Sequence, residues 1–279
     1  MHPSRRRTSA LPTRRTALSA AALVAALAPA ACGAADSSSS DTALPGSTAT
    51  SAGVSGQVVV FAAASLQDAF EDLAEDFQKA NPDVSVTFDF QGSQDLVAAL
   101  SEGAAADVLA TANNSSMNDA AAQSLVEDQT EFATNVLTLI VPAGNPAGVT
   151  GLDDGTLDGA DLVICAPEVP CGEATQTLAT QLDVTLTPVS EEQKVTDVRG
   201  KVESGEADAG IVYTTDATDA GNAVEVIALP DNDVVNHYPI ALTRGATNPD
   251  AAQAFIDLAM SDAGQAILAE YGFGAPAGK

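Results

Sequence analysis

From Gln57 onward the chain alternates short apolar runs with segments whose apolar residues recur every three or four positions. Val58-Val59-Val60-Phe61 reads as a buried strand, and Leu66, Phe70, Leu73 and Phe77 then fall on one helical face. Ser65 stands where that helix begins, with Asp68 three residues on, which predicts an N-cap close to a capping box. A strand running into a helix start aims unpaired N–H groups and the helix dipole at whatever lies above it, so the junction suits an anion. The helix stops at Asn81-Pro82-Asp83. Val84 to Phe90 alternates with period two, as a strand does, and Gln91-Gly92-Ser93 leads into a helix carrying Leu96, Val97 and Leu100 and ending at Gly103. Asp107 to Ala112 predicts another strand, with a helix from about Asn114. Strand, turn and helix repeated in this way predict a parallel sheet with helices on its faces.

At Phe132 the pattern changes to a long apolar run through Val136-Leu137-Thr138-Leu139-Ile140-Val141-Pro142, long enough to cross between domains. A second α/β set follows: strands at Asp161–Cys165, Val184–Val189, Gly210–Tyr213 and Val224–Leu229, with helices after Cys171 and around Val195–Val202. Tyr238-Pro239-Ile240-Ala241-Leu242 reads as the return crossing. Two helices close the chain, one capped by Asn248 with Pro249 at its first position, the other capped by Ser261 and stopped at Gly272. Two α/β halves joined by two crossings predict a hinged binding architecture, with lobe I at 57–134 plus 238–279 and lobe II at 135–237. A ligand would sit in the cleft at the carboxyl ends of the strands. Ser65, Ser93, Cys171 and the segment just before Val195 stand at such junctions, and Tyr213 ends its own strand.

The residues before Gln57 are of another kind. Five arginines (Arg5, Arg6, Arg7, Arg14, Arg15) precede an apolar run from Ala17 to Ala31 that ends at Cys32, the order of an export signal spanning 1–32. Arg14-Arg15 has a twin-arginine look, and paired arginines also occur in ordinary signals. Cys32 after Ala30-Ala31 suits lipidation, with Pro29 where leucine is usual; Ala28-Pro29-Ala30 suits a non-lipoprotein peptidase. Residues 33–56, almost all Ser, Thr, Ala, Gly and Asp, predict a flexible linker. Lipidation of Cys32 accounts for the odd member among three cysteines and leaves Cys165 and Cys171 to pair across a short loop in an oxidising compartment. Metal binding by two free thiols is the weaker alternative, because the histidines are only His2 and His237.

Charge excludes one class of partner. The whole chain carries −27, and residues 57–279 alone hold 36 acids against six bases, or −30. No basic patch exists to neutralise phosphates, so nucleic acid is excluded; solubility outside the cell explains the acid. A serine hydrolase using Ser65 or Ser93 lacks parts, since there is no Gly-x-Ser-x-Gly elbow and His237 is its sole possible base. No phosphate-cradling glycine loop is present either.

Six segments now gain meaning together. Phe61-Ala62-Ala63-Ala64-Ser65-Leu66, Gly92-Ser93, Glu102-Gly103-Ala104-Ala105-Ala106-Asp107-Val108, Val169-Pro170-Cys171-Gly172, Gly205-Glu206-Ala207-Asp208-Ala209-Gly210-Ile211-Val212-Tyr213 and Tyr271-Gly272-Phe273 resemble, in order over nearly all of residues 57–279, the molybdate-binding proteins of ABC transporters. The resemblance implies a two-lobed α/β fold of the periplasmic-binding-protein kind, type II, with parallel-rich sheets flanked by helices. It implies an oxyanion held without cations by two serines of one lobe and by amides and a tyrosine of the other. Carried over residue by residue, these are Ser65, Ser93 and Tyr213, with the amides of Cys171 and Val195, the latter preferred to Val198 for its spacing of eighteen to Tyr213. Well-known members have alanine where Cys171 stands, so a disulfide there would brace the binding loop; Asn113 replaces an expected acid, with no function attached to it. His237 reads as a hinge or surface residue, and Lys194, Arg199 and Lys201 as solvated, with one of them able to steer the anion. The resemblance further implies a non-enzymatic, monomeric receptor without cofactor, tethered by lipid to the outer face of the cytoplasmic membrane. It would deliver molybdate, and tungstate too, to a permease with a cytoplasmic ATPase; sulfate or another tetrahedral oxyanion is the alternative ligand.

Overall fold

Val58, Val60 and Ala62 are wholly buried in the first strand, β1 (Gly56–Ala63), which hands over to a single 3-10 turn at Ala64–Leu66 and then to α1 (Gln67–Ala80). The computed structural model describes residues 53–276; the export signal with Cys32, and the linker as far as residue 52, lie outside them. Phe70, Leu73 and Phe77 form the buried face of α1, as their spacing predicts. Next come β2 (Val84–Gln91), α2 (Ser93–Ser101), β3 (Val108–Ala110) and α3 (Asn114–Ala122), followed by the 13-residue β4 (Thr130–Pro142). The second set contains β5 (Leu162–Cys165), α4 (Pro170–Gln181), β6 (Ser190–Glu192), α5 (Val195–Glu203), β7 (Ala209–Tyr213), α6 (Thr214–Ala220) and β8 (Val224–Ile227). The chain returns through β9 (Val235–Leu242) and ends in α7 (Pro249–Met260) and α8 (Asp262–Glu270).

The strands form one continuous sheet in the order β2-β1-β3-β9-β4-β7-β5-β6, with β8 also on β4. Its two flanks are parallel, β1 with β2 and β3, and β5 with β6 and β7. Its middle is antiparallel: the crossing strands β4 and β9 pair with each other, Thr134 opposite His237 and Asn135 opposite Asn236. The hydrophobic core divides at this pair. One cluster draws on residues 137–234, among them Leu139, Leu178, Val198 and Val212. Two others draw on residues 58–133 and 238–273, where Phe70, Phe77 and Phe255 meet ring edge to ring face at 5.6–5.8 Å. Behind α8, Gly274 exchanges two 2.9 Å backbone bonds with Thr134 of β4.

Three local expectations need correction. Ser65 lies inside the 3-10 turn, after Ala63, and makes no capping bond. The β-branched stretch 184–189 belongs to no strand. β5 has only four residues, and its parallel partner pairs over three of them, at Ser190–Glu192. Arg199 and Lys201 are paired rather than solvated, Arg199 with Asp219 (3.2 Å) and Glu203 (3.3 Å), Lys201 with Glu192 (2.5 Å).

Candidate functional site

Four helical starts converge between the two sets of elements: the 3-10 turn before α1, then α2, α4 and α5. Ala64, Ser65, Gly92, Ser93, Pro170, Cys171, Lys194 and Val195 from these starts line a single hollow, with Tyr213 at the end of β7. Ser65, Ser93, Cys171, Val195 and Tyr213, the set that the resemblance implies, thus come together. The hollow measures about 10 Å³, far below the roughly 300–1,000 Å³ of sites that take drug-sized organic ligands. Space of this size suits a very small ion or molecule and not a drug-sized organic one.

What the lining offers is donors. Cys171 and Val195 occupy the second and first positions of α4 and α5, where N–H groups have no acceptor within their helix. Ser93 Oγ accepts the amide of Ala112 at 3.0 Å, which leaves its hydroxyl proton to point elsewhere. Ser65 Oγ lies 3.0 Å from the hydroxyl of Tyr238. Tyr213 accepts from Asn236 Nδ2 at 2.9 Å and also interacts with Tyr238. Burial, reinforced by the other tyrosine and by Asp216, raises the Tyr213 pKa well above that of an ordinary phenol; burial raises that of Tyr238 as well. Both hydroxyls stay protonated and able to donate. Lys194 also lines the hollow, where it could steer an anion, as the sequence left open for one of the three cations near α5; its Nζ lies 3.9 Å from Asp197 Oδ1.

Close approach is built into the lining. A Cβ on Gly92 would come within 2.3 Å of the Gln193 carbonyl oxygen, and one on Gly172 within 1.8 Å of that of Ala166. Gln94 Nε2 donates to Gln193 O at 3.1 Å, and Glu173 of α4 accepts from Asn113 Nδ2 and from Ser115 Oγ (2.8 Å) at the start of α3. Asn113, given no role beforehand, therefore caps α3 through Ser116 N and reaches across to α4. A disulfide joins Cys165 at the end of β5 to Cys171, with Cα atoms 5.7 Å apart, and pins the α4 start to its own strand.

Some site residues escaped the sequence reading. Asn135, Asn236 and Tyr238 are buried on the crossing strands and hold the hydroxyls from behind. The only sequence signal was their place in the crossing runs. His237 has its Nδ1 3.1 Å from Glu131 and does not line the hollow, so among the described residues neither serine has an imidazole beside it as base. Among the described residues no group of three or more His, Cys, Asp or Glu is placed to hold a metal ion. Asp107, in the third motif, accepts from Val59 N, Thr247 N and Asn248 N, a structural role.

Comparison with known proteins places this geometry. Residues 58–274 match the family described as bacterial extracellular solute-binding protein. The chain is similar to the molybdate-binding protein ModA of Mycobacterium tuberculosis, 42% identical over 221 residues, covering 78% of this chain and 85% of that one. It is also similar to ModA of Haemophilus influenzae, 34% identical over 232 residues, covering 79% and 91%. A solved structure of the periplasmic molybdate-binding protein of Azotobacter vinelandii superposes with a TM-score of 0.67 at 19% identity, over 78% of this chain and 99% of that one, a likeness of fold. The chain belongs to the bacterial extracellular solute-binding protein family, together with these molybdate-binding relatives.

Proposed function

We propose that this protein captures molybdate, and tungstate with it, outside the cytoplasm and delivers it to an ABC permease driven by a cytoplasmic ATPase. The ligand is bound, not converted. Residues 57–134 with 238–279 act as one lobe and 135–237 as the other, turning about β4 and β9. The hydroxyls of Ser65, Ser93 and Tyr213 and the amides of Cys171 and Val195 grip the oxyanion. One observation carries this reading: five donors from both sets of elements line one hollow a few atoms wide. Charge-assisted hydrogen bonds contribute about 1.5–3 kcal/mol each, so a set of this size can hold a dianion without depending on Lys194, which also lines the hollow. The relatives' names select molybdate over sulfate. Lipidation of Cys32 would tether a monomer to the outer face of the membrane.

Titration calorimetry of residues 57–279 with molybdate, tungstate and sulfate tests the ligand. Molybdate should bind with a Kd of about 1 μM or tighter, a scale that five such bonds reach only at about 3 kcal/mol each once association costs are met, and that about seven or eight reach more easily. Tighter sulfate binding would replace molybdate by the alternative ligand. Mass spectrometry of the membrane-extracted protein tests the anchor, which requires an acyl-modified Cys32 at the mature N-terminus.

A further inference from the structure

Behind the donors that line the hollow stands a second row that the reading above does not use. Asn135 and Asn236 face each other across the antiparallel pair of β4 and β9, and both are buried. The side-chain nitrogen of Asn236 lies 2.8 Å from the carbonyl of Ala112, 3.5 Å from that of Pro170 and 2.9 Å from the hydroxyl of Tyr213. Carbonyl oxygens only accept, so two of them on one side fix which end of the amide is NH2. Tyr213 must then accept from Asn236, and its own proton is left for the hollow or for the neighbouring Tyr238 hydroxyl, which a guest in the hollow would outcompete as a charged acceptor. Asn135 is fixed in the same way, because its Oδ1 accepts from Val136 N (2.9 Å) and Thr214 Oγ1 (3.1 Å). Its nitrogen faces Thr215 Oγ1 at 2.9 Å and Tyr238 at 3.4 Å, and Tyr238 reaches Ser65.

We propose that Asn135 and Asn236 are positioning residues that set the polarity of the oxyanion site: Asn236 donates to the back of Tyr213, and Asn135 donates to Tyr238, which frees the Tyr238 proton for Ser65, so that the Tyr213 and Ser65 protons are available to the guest. On the Ser93 side the Ala112 amide does the same, and the Ala112 carbonyl is the one that Asn236 holds. Asn236 thus ties the backing of Ser93 to Tyr213, one from each side of the cleft. The consequence is selectivity. A ring that only donates suits a dianion that only accepts, such as molybdate, and offers no acceptor to an anion carrying its own O–H, such as hydrogen phosphate. This inference rests on the oxyanion site proposed above.

The test is Asn236→Asp, nearly identical in shape. An ionised aspartate donates nothing, and a protonated one has a single O–H to divide among Ala112 O, Pro170 O and Tyr213, so the donor behind Tyr213 is lost or weakened. At pH 8, with calorimetry for molybdate and competition for hydrogen phosphate, molybdate affinity should fall about tenfold or more, the worth of one hydrogen bond to a charged group. The preference for molybdate over hydrogen phosphate should narrow by a similar factor. Both ligands are dianions, so added charge weakens both and leaves the ratio alone. In a Tyr213→Phe background, Asn236→Asp should no longer change the ratio. Equal weakening of both anions, or an unchanged ratio effect without the Tyr213 hydroxyl, overturns the positioning role. If Asn236→Asp does not fold by thermal melting, Asn135→Asp carries the same prediction through Tyr238 and Ser65. Molybdate binding unaffected by Tyr213→Phe would instead overturn the site itself, so the two failures are distinguishable.

Discussion

Ser93→Ala removes one oxygen and should change two measurements at once. Ser93 is fully buried at the first position of α2, and its Oγ accepts the Ala112 amide at 3.0 Å. Truncation leaves that amide without its acceptor inside the protein, which costs about 1–3 kcal/mol. A 1 kcal/mol loss lowers Tm by roughly 2–4 °C in a domain of about this size, so calorimetric melting should drop by about 2–12 °C. The same change deletes a donor to the oxyanion. One charge-assisted bond of about 1.5–3 kcal/mol corresponds to a roughly 10- to 150-fold weaker Kd for molybdate. Ser101→Ala is the control: its exposed hydroxyl bonds only to Ala98 O, and neither quantity should move. A Ser93→Ala protein that melts lower yet binds with unchanged Kd would show the serine to be scaffolding, and would remove it from the site. One that binds weakly but melts as the parent does would refute the accounting for the Ala112 amide.

Three further outcomes are expected. Glu173→Ala breaks the contacts of α4 with Asn113 and Ser115 without touching the hollow; for so exposed a group we expect about 0.5–1 kcal/mol, read as a Kd roughly two- to fivefold weaker, and an unchanged Kd would deny these contacts a part in closure. Gly172→Ala puts a methyl 1.8 Å from the Ala166 carbonyl oxygen, forcing the α4 start to move; Kd should rise about tenfold or more, and retained affinity would refute the need for that close approach. Asp216 has its carboxyl pKa raised by burial from 3.8 to about 7, the charge of Arg199 opposing. The folded state therefore holds this proton more tightly than the unfolded chain, an advantage complete below about pH 4 and lost as pH rises to about 7. Asp216→Asn should flatten that decline and raise stability at pH 8 by on the order of 1–3 kcal/mol in denaturant titration. A remaining slope belongs to Asp219, raised to about 6 by burial and by Asp68; an unchanged decline refutes the assignment.

Local periodicity carried the reading as far as local physics reaches. The buried face of α1, the long β4 and the Ser261 cap of α8 follow from side-chain spacing and from a serine whose acceptor lies three residues away. The pattern of strands ending in helix starts picked out Ser93, Cys171 and the segment before Val195, and the family resemblance then singled out Val195 itself. Ser65 was misread because Ser-Leu-Gln-Asp satisfies a capping pattern, while a partner 173 residues away, Tyr238, takes its hydroxyl. Val184–Val189 was misread because β-branched alternation says nothing about whether a neighbouring strand is long enough to pair. Asn135 and Asn236 were invisible for the same reason: their meaning depends on the register between β4 and β9, set by chain segments about a hundred residues apart.

The bridge from Gly274 to Thr134 has a practical corollary. The last described residues run alongside β4, the strand about which the halves would turn, with a second hydrogen bond from Thr134 Oγ1 to the Ala275 carbonyl. Any cargo fused behind them, a purification handle or a fluorophore, would hang beside the strand about which the halves are proposed to turn instead of from an inert surface. Such a label would load the swing of the two halves, so a C-terminally tagged preparation should be compared with an untagged one before its affinity is taken as native.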